Sequence, residues 1–209
     1  MKKFLLDVIL FALFVAELSF HYLPKVLHEI LGVAMALAIV LHVAINFRRF
    51  KSLFKKMTPR KIFIVTIDFA LAIGAAIILF AGVCMSNYLF TDAVSFELRR
   101  NMTIHQLHVA IPYMMIILIG AHVGLHAQEL RQRFSNVKNF FNVAIAALSI
   151  IGAFGLFFNR VLDRILMKHI FATPATDLIA PLFMLLIIGG VIFFALITFF
   201  VDRKIFGGS

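Results

Sequence analysis

Long apolar runs, not short alternation, organise this chain. Six stretches, at roughly 4–22, 26–47, 61–85, 104–126, 139–158 and 178–201, carry few charges, and each approaches or exceeds the ~20 residues a helix needs to cross a bilayer. In lipid only helices and closed barrels satisfy their own backbone, and a barrel would show segments of about ten alternating residues instead. The expected fold class is therefore all-α: a polytopic integral membrane protein with six transmembrane helices. Segments 86–103 and 159–177 are the largest pieces outside the runs. In the second, Val161, Leu162, Ile165, Leu166 and Ile170 recur against Arg160, Asp163, Arg164 and Lys168 with a helical period. That predicts an amphipathic segment at about 159–172, lying in the membrane interface or docking a partner.

Composition agrees with the pattern. Of 209 residues 63% are hydrophobic, 25 are Phe and none is Trp, and the mean hydropathy is +1.03, which excludes an ordinary soluble domain. The single cysteine, Cys84, excludes an intrachain disulfide and a cysteine-ligated cluster within this chain, and reads as a small packing residue. Met1 to Phe20 has the outline of a signal peptide, yet Asp7 and Glu17 interrupt its apolar part and no A-x-A site follows. A retained first helix is expected.

Charge then sets an orientation. NFRRFKSLFKKMTPRK, 46–61, holds seven basic residues and no acid, and Lys and Arg accumulate in cytoplasmic loops. Placing this loop inside also puts Lys2, Lys3, Arg131, Arg133, Lys138, Arg203 and Lys204 inside, which gathers 14 of the 20 basic residues. Lys25, Arg99, Arg100, Arg160, Arg164 and Lys168 remain outside. Both termini are then cytoplasmic. The net charge of +10 reflects topology and contact with anionic lipid headgroups; nucleic acid is not an expected partner, because no soluble basic surface exists to bind it.

The polar residues inside the apolar runs are the next clue. HEILGVAMALAIVLH, His28 to His42, has a histidine at each end, and HVAIPYMMIILIGAH, His108 to His122, repeats the spacing. Aligning His28 with His108 also brings Gly32 onto Pro112 and HVAIN (42–46) onto HVGLH (122–126), while DVILFALFVA (7–16) and TIDFALAIGA (66–75) look alike. The chain thus reads as two related helical hairpins followed by a third without intramembrane histidine. Fourteen helical residues rise ~21 Å and turn ~1400°, within about 40° of four full turns, so each pair points to one side. One intervening span makes the two histidine helices parallel. His28 is then level with His108 near the outer face, and His42 with His122 near the inner face.

A buried polar side chain in a membrane helix is a functional candidate by default. A lone imidazole bonded to a neighbouring helix is common; four at matched depths are harder to explain so. Zinc needs about four ligands converging within ~2.1 Å, and the fourteen-residue gap forbids that. A haem iron needs two further ligands, one on each side of a flat apolar ring that fits between helices. The economical reading is two bis-histidine haems of b type, without the C-x-x-C-H of covalent attachment, held by helices 1–4 as a four-helix bundle. His28 and His108 would ligate the outer haem, His42 and His122 the inner one.

Several neighbours admit two readings. Gly32, Gly120 and Gly124 remove bulk where a porphyrin would press, or allow close helix packing. Pro112 removes the hydrogen bond to the carbonyl of His108. Arg48 and Arg49 inside, and Arg99 and Arg100 outside, are placed for propionates, although topology alone accounts for the first pair. His105 and His126 lie one turn from His108 and His122 and are alternative ligands, nearby supporting groups or quinone-site residues. Glu17, close to His21, would serve protons at an outer quinone site, or make a helix contact as Asp7 and Asp68 would. His21 and His169 read as interfacial.

HEILG opening one histidine helix, and HQLHVA with HVGLH in the other, resemble the flavinylation-associated cytochromes, small bacterial membrane proteins; the spacing is also similar to that of ferric reductase and NADPH oxidase membrane domains. The resemblance covers about residues 1–130. It implies haem ligation by His28, His42, His108 and His122, a place in the bacterial cytoplasmic membrane, and electron transfer to extracytoplasmic proteins carrying covalent flavin mononucleotide. After the sixth run only DRKIFGGS follows, with no glycine-rich phosphate turn for a nicotinamide, so the donor would be a quinol from the membrane pool or a cytoplasmic flavoprotein. The expected division is a dihaem core at 1–130 and an accessory hairpin at 131–209. The alternatives are an oxidoreductase acting by itself on quinone and superoxide or another small oxidant, and a metal or proton transporter.

Overall fold

The computed structural model describes residues 2–128, 138–168 and 177–207, and these residues form helices and connections with no strand. Helix α1 spans Lys2–Leu18, α2 Lys25–Leu53, α3 Pro59–Met85, a short α4 Phe96–Arg99, α5 Met102–Leu125, α6 Lys138–Phe158, a short α7 Val161–Ile165, and α8 Ala180–Phe206. Four of them, α2, α3, α5 and α8, are long and apolar enough to cross a membrane. α1 has 17 residues and stops short of the expected 4–22 span. Phe20–Tyr22 tighten into a 3₁₀ turn, and Pro24 then sets the start of α2. α6 is apolar over Asn142–Phe158, a shorter stretch than its expected span.

Local chemistry explains where the helices start and stop. Thr58 Oγ1 accepts from the Lys61 amide at 3.3 Å, with Pro59 at the first helical position of α3. Asn101 Oδ1 accepts from the amides of Thr103 and Ile104 and opens α5. α5 continues through Pro112. Gly207, at φ 72°, ends α8 in the left-handed region that glycine tolerates.

α8 packs on both α5 and α6, α3 packs on α5, and α1 packs on α2, while contact between α2 and α3 is sparser. The core gathers Phe14 and Val15 of α1, Ile111 and Ile116 of α5, Val161 of α7, and Ile187 and Val191 of α8. It lies toward the end of the bundle remote from the basic 46–61 loop. Lipid is as apolar as these side chains, so close van der Waals packing rather than escape from water holds such helices together. Small residues permit it. A Cβ added to Gly152 of α6 would strike the backbone of Gly189 and Gly190 of α8, and Cβ atoms on Gly120 and Gly124 of α5 would meet α8 at Val191, Phe194, Ala195 and Thr198. Gly120 and Gly124 therefore serve helix packing, and their open side faces α8. By contrast α2 buries no residue within the protein, and Leu37, Val40 and, on α6, Phe157 stand exposed, as side chains facing acyl chains do.

The segment expected at 159–172 is described as far as 168; His169 lies outside the described residues. Its helix is only Val161–Ile165, and its faces differ from the expectation. Val161 and Arg164 are buried while Leu162 and Leu166 are exposed. Arg160 adopts a left-handed conformation at φ 47°, which turns the chain so that the short helix inserts two residues, three apart, into the end of the bundle. Arg164, 3% exposed, sits over the Tyr113 ring at 5.7 Å, so its charge is packed inward.

One polar clasp ties the first half of the chain to its last helix at the basic end. Arg60 Nε and Nη2 donate to Asp202 Oδ1 and Oδ2 at 2.8 and 3.0 Å, and Asp202 is 4% exposed. Bidentate guanidinium–carboxylate pairing of this kind is among the stronger polar contacts. Replacing Asp202 by Asn removes the charge and one acceptor and leaves Arg60 under-satisfied. It should cost about 1.5–3 kcal/mol, read as a lower thermal midpoint in detergent, whereas Lys204→Ala should leave the midpoint unchanged.

Candidate functional site

The four matched histidines share one construction: each has its Nδ1 atom beside an oxygen of the helix that precedes it. His28 Nδ1 lies 2.9 Å from Glu17 Oε2 of α1, and His42 Nδ1 lies 2.9 Å from Asp7 Oδ1 of the same helix. His122 Nδ1 lies 2.9 Å from Asp68 Oδ1 of α3, and His108 Nδ1 lies 3.3 Å from the backbone carbonyl of Ile78, also α3. The contacts at His28 and His42 are close without being well directed as hydrogen bonds. At His108 and His122, where the contact is a hydrogen bond, a carbonyl or a carboxylate only accepts, so the imidazole proton belongs on Nδ1, and Nε2 carries the lone pair. This is how protein ligands to metals are oriented.

The two hairpins are built alike. Asp7 and Glu17 stand ten residues apart on α1, and Asp68 and Ile78 stand ten apart on α3. The structural register of the repeat thus matches Asp7 with Asp68, two residues away from the alignment that the resemblance of 7–16 to 66–75 suggests. At the place of Glu17 the second hairpin has Ile78, whose side chain accepts nothing, and its main-chain carbonyl substitutes.

α2 and α5 meet at both ends although they do not pack along their length. The rings of His28 and His108 lie 6.0 Å apart between centroids, at 83° to each other. Metal–imidazole bonds are about 2.0–2.1 Å long, so two imidazoles on opposite sides of one ion have centroids roughly 6 Å apart. At the basic end Arg49 Nη2 approaches His126 Nδ1 at 3.3 Å, and the His126 ring lies 4.9 Å from that of His122. The helices therefore run parallel, with His28 opposite His108 and Arg49 opposite His126, and His28 and His108 are brought together. His42 and His122 lie within two turns of the Arg49–His126 contact.

Gly82 of α3 has a specific use here. A Cβ at this position would lie 3.3 Å from His108 Cε1, so the glycine leaves room for the ring. Among the described residues no three His, Cys, Asp or Glu side chains converge to hold a metal ion. No protein-family model matches the chain, and no curated protein or solved structure matches it either.

The remaining candidates fall around these pairs. His105 occupies the first turn of α5, and His126 caps its end. Gly32 faces Glu17, 3.8 Å from where a Cβ would stand. Arg99 Nη2 donates to the Val94 carbonyl at 3.1 Å, while its buried Nε has no hydrogen-bond partner among the described residues. Arg100 sits over the Phe96 ring at 5.2 Å, and Arg48 is exposed. Glu17 pairs with His28 and not with His21. His21 lies in the turn between α1 and α2, where burial first, and Arg164 second, lower its pKa.

Glu29, next to His28, was not legible as a site residue. Its carboxylate accepts from Ser86 Oγ at 2.8 Å and from the amides of Asn87, Tyr88 and Leu89 at 2.8, 3.2 and 2.8 Å. It thus fastens the start of α2 to the end of α3, which supplies Ile78 and Gly82 to His108. Glu29→Ala removes the common acceptor of three amides. Hydrogen exchange at Asn87, Tyr88 and Leu89 should accelerate about tenfold or more, since a hydrogen bond to a charged group contributes about 1.5–3 kcal/mol, with exchange near Thr66 unchanged.

Proposed function

We propose that this chain is a b-type cytochrome with two haems, which passes electrons across the bacterial cytoplasmic membrane from a quinol or a cytoplasmic flavoprotein to a flavin-carrying acceptor outside. One observation carries the reading: four histidines at repeated spacing each have an acceptor oxygen within 3.3 Å of Nδ1, as a hydrogen bond at His108 and His122, and the rings of His28 and His108 are already 6.0 Å apart. The positive-inside rule places the Arg49 end in the cytoplasm, so His42 and His122 form the inner site and His28 and His108 the outer one. Haem supplies reversible one-electron chemistry when bound.

The chain's own residues do the rest. Asp68 and the Ile78 carbonyl hold His122 and His108 by hydrogen bonds, and Asp7 and Glu17 stand 2.9 Å from the Nδ1 atoms of His42 and His28, so each ring keeps an oxygen behind it when the charge at the site changes. Gly82 leaves His108 its place, and the Glu29 clamp keeps the two outer histidine helices in register. Arg99 offers a buried Nε, without a hydrogen-bond partner among the described residues, to an anionic group such as a propionate. The apolar thirteen-residue segments between the histidines keep water and ions from following the electrons. Each electron leaves the donor inside and reduces the acceptor outside, and no bond of the protein forms or breaks.

A second reading is favoured by one observation at the outer end. Asn159 is buried with neither side-chain atom partnered among the described residues, and it precedes the short helix that packs Arg164 onto Tyr113. Such polar groups suit the carbonyls of a quinone, in which case the chain would act on quinone and a small oxidant directly.

Purified protein should be red, with the reduced-minus-oxidised bands of low-spin b haem and about two haems per chain by pyridine haemochrome assay. His28→Ala and His122→Ala should each remove one haem, and His126→Ala neither. Gly82→Leu, which crowds His108, should reduce occupancy at the outer site alone. Colourless protein carrying zinc on its histidines would overturn the reading, and rapid quinol oxidation by the chain alone would select the second one.

A further inference from the structure

The two histidine pairs are not chemically equal. Behind the inner pair stand two carboxylates, Asp7 against His42 and Asp68 against His122, both at 2.9 Å. Behind the outer pair stands one carboxylate, Glu17 against His28, and one neutral carbonyl, that of Ile78 against His108. The difference arises at a single position of the repeat, where Ile78 stands in the place of Glu17. An anionic acceptor draws the Nδ1 proton away from the ring, which makes Nε2 a stronger donor to a metal. Negative charge nearby also favours the more positive oxidation state of an iron, and does so more strongly in a medium of low polarity.

We infer that Asp7 and Asp68 together give the inner site a lower reduction potential than Glu17 and the Ile78 carbonyl give the outer one, so that the protein itself sets a downhill path from the cytoplasmic side outwards. This rests on the two-haem reading above. The two acids are unequal in weight. The Asp7 side chain is half exposed, against about a fifth for Asp68, so Asp68 exerts the larger effect. Among the described residues, Arg49 Nη2 lies 3.3 Å from His126 Nδ1 and Lys3 Nζ 3.4 Å from the Ile45 carbonyl and Asn46 Oδ1, and both cations are exposed, where water and salt screen them.

The test is an anaerobic optical redox titration of the full-length protein in detergent, on the wild type and on Asp68→Asn, Asp7→Asn and Glu17→Gln. Two one-electron steps are expected. Asp68→Asn should raise the lower step by about tenfold or more in its equilibrium constant, which is 59 mV for one electron. Asp7→Asn should move the same step by less, and Glu17→Gln should move only the higher step. The inference is overturned if Asp68→Asn moves the higher step, moves both alike or moves neither, while two haems remain bound. Absence of haem from the wild type would instead sink the functional reading itself. If both Asp variants lose haem, Glu17→Gln decides alone: movement of the higher step supports the inference, and movement of the lower step overturns it.

Discussion

An imidazole inside a membrane needs an acceptor for its Nδ1 proton, and lipid offers none. That requirement organises this protein. Each of the four matched histidines turns to the preceding long helix, α1 or α3, so each hairpin is closed by two polar contacts placed ten residues apart on one helix and fourteen apart on the other. The contact has two effects at once. It joins helices that gain little from hydrophobic association in lipid, and it decides which ring nitrogen is left over. The side of the histidine not used for folding is the side available for chemistry.

Around this arrangement the packing is uneven. α5 is gripped on one side by α8, through Gly120 and Gly124, and on another by α3, where Gly74 meets Met115. α2 touches α1 and otherwise has few protein neighbours. One histidine of each pair therefore sits on a firmly seated helix and the other on a helix held by a few polar ties: Glu17, Asp7 and the Glu29 clamp. A flat group entering between them would find one rigid wall and one that can adjust, which suits insertion of a large ring into a finished bundle.

Much of this was legible in the residues. Apolar run length gave helices in lipid, and the repeated fourteen-residue interval singled out His28, His42, His108 and His122 from eight histidines. The role of the acids was harder to see. Asp7, Glu17 and Asp68 stand out as charges in apolar runs, but pairing them with histidines needs the register of each hairpin, which depends on where Pro24 and Thr58 start their helices. Ile78 leaves no trace in the sequence, because a backbone carbonyl has no residue type. Glycines were ambiguous for a related reason: Gly120, Gly124 and Gly82 look alike as letters, yet the first two admit a helix and the third an imidazole. Arg164 was assigned to the wrong face because the left-handed turn at Arg160 resets the helical phase.

The Arg60–Asp202 pair has a consequence for assembly. An ionised acid near the end of the final apolar run would resist entry into lipid unless its counter-charge were already waiting. Synthesis runs from the N-terminus, so the helix carrying Arg60 reaches the membrane long before Asp202 leaves the ribosome. Helix α8 thus finds its partner in place, and its seating against α5 follows the two hairpins in order of synthesis.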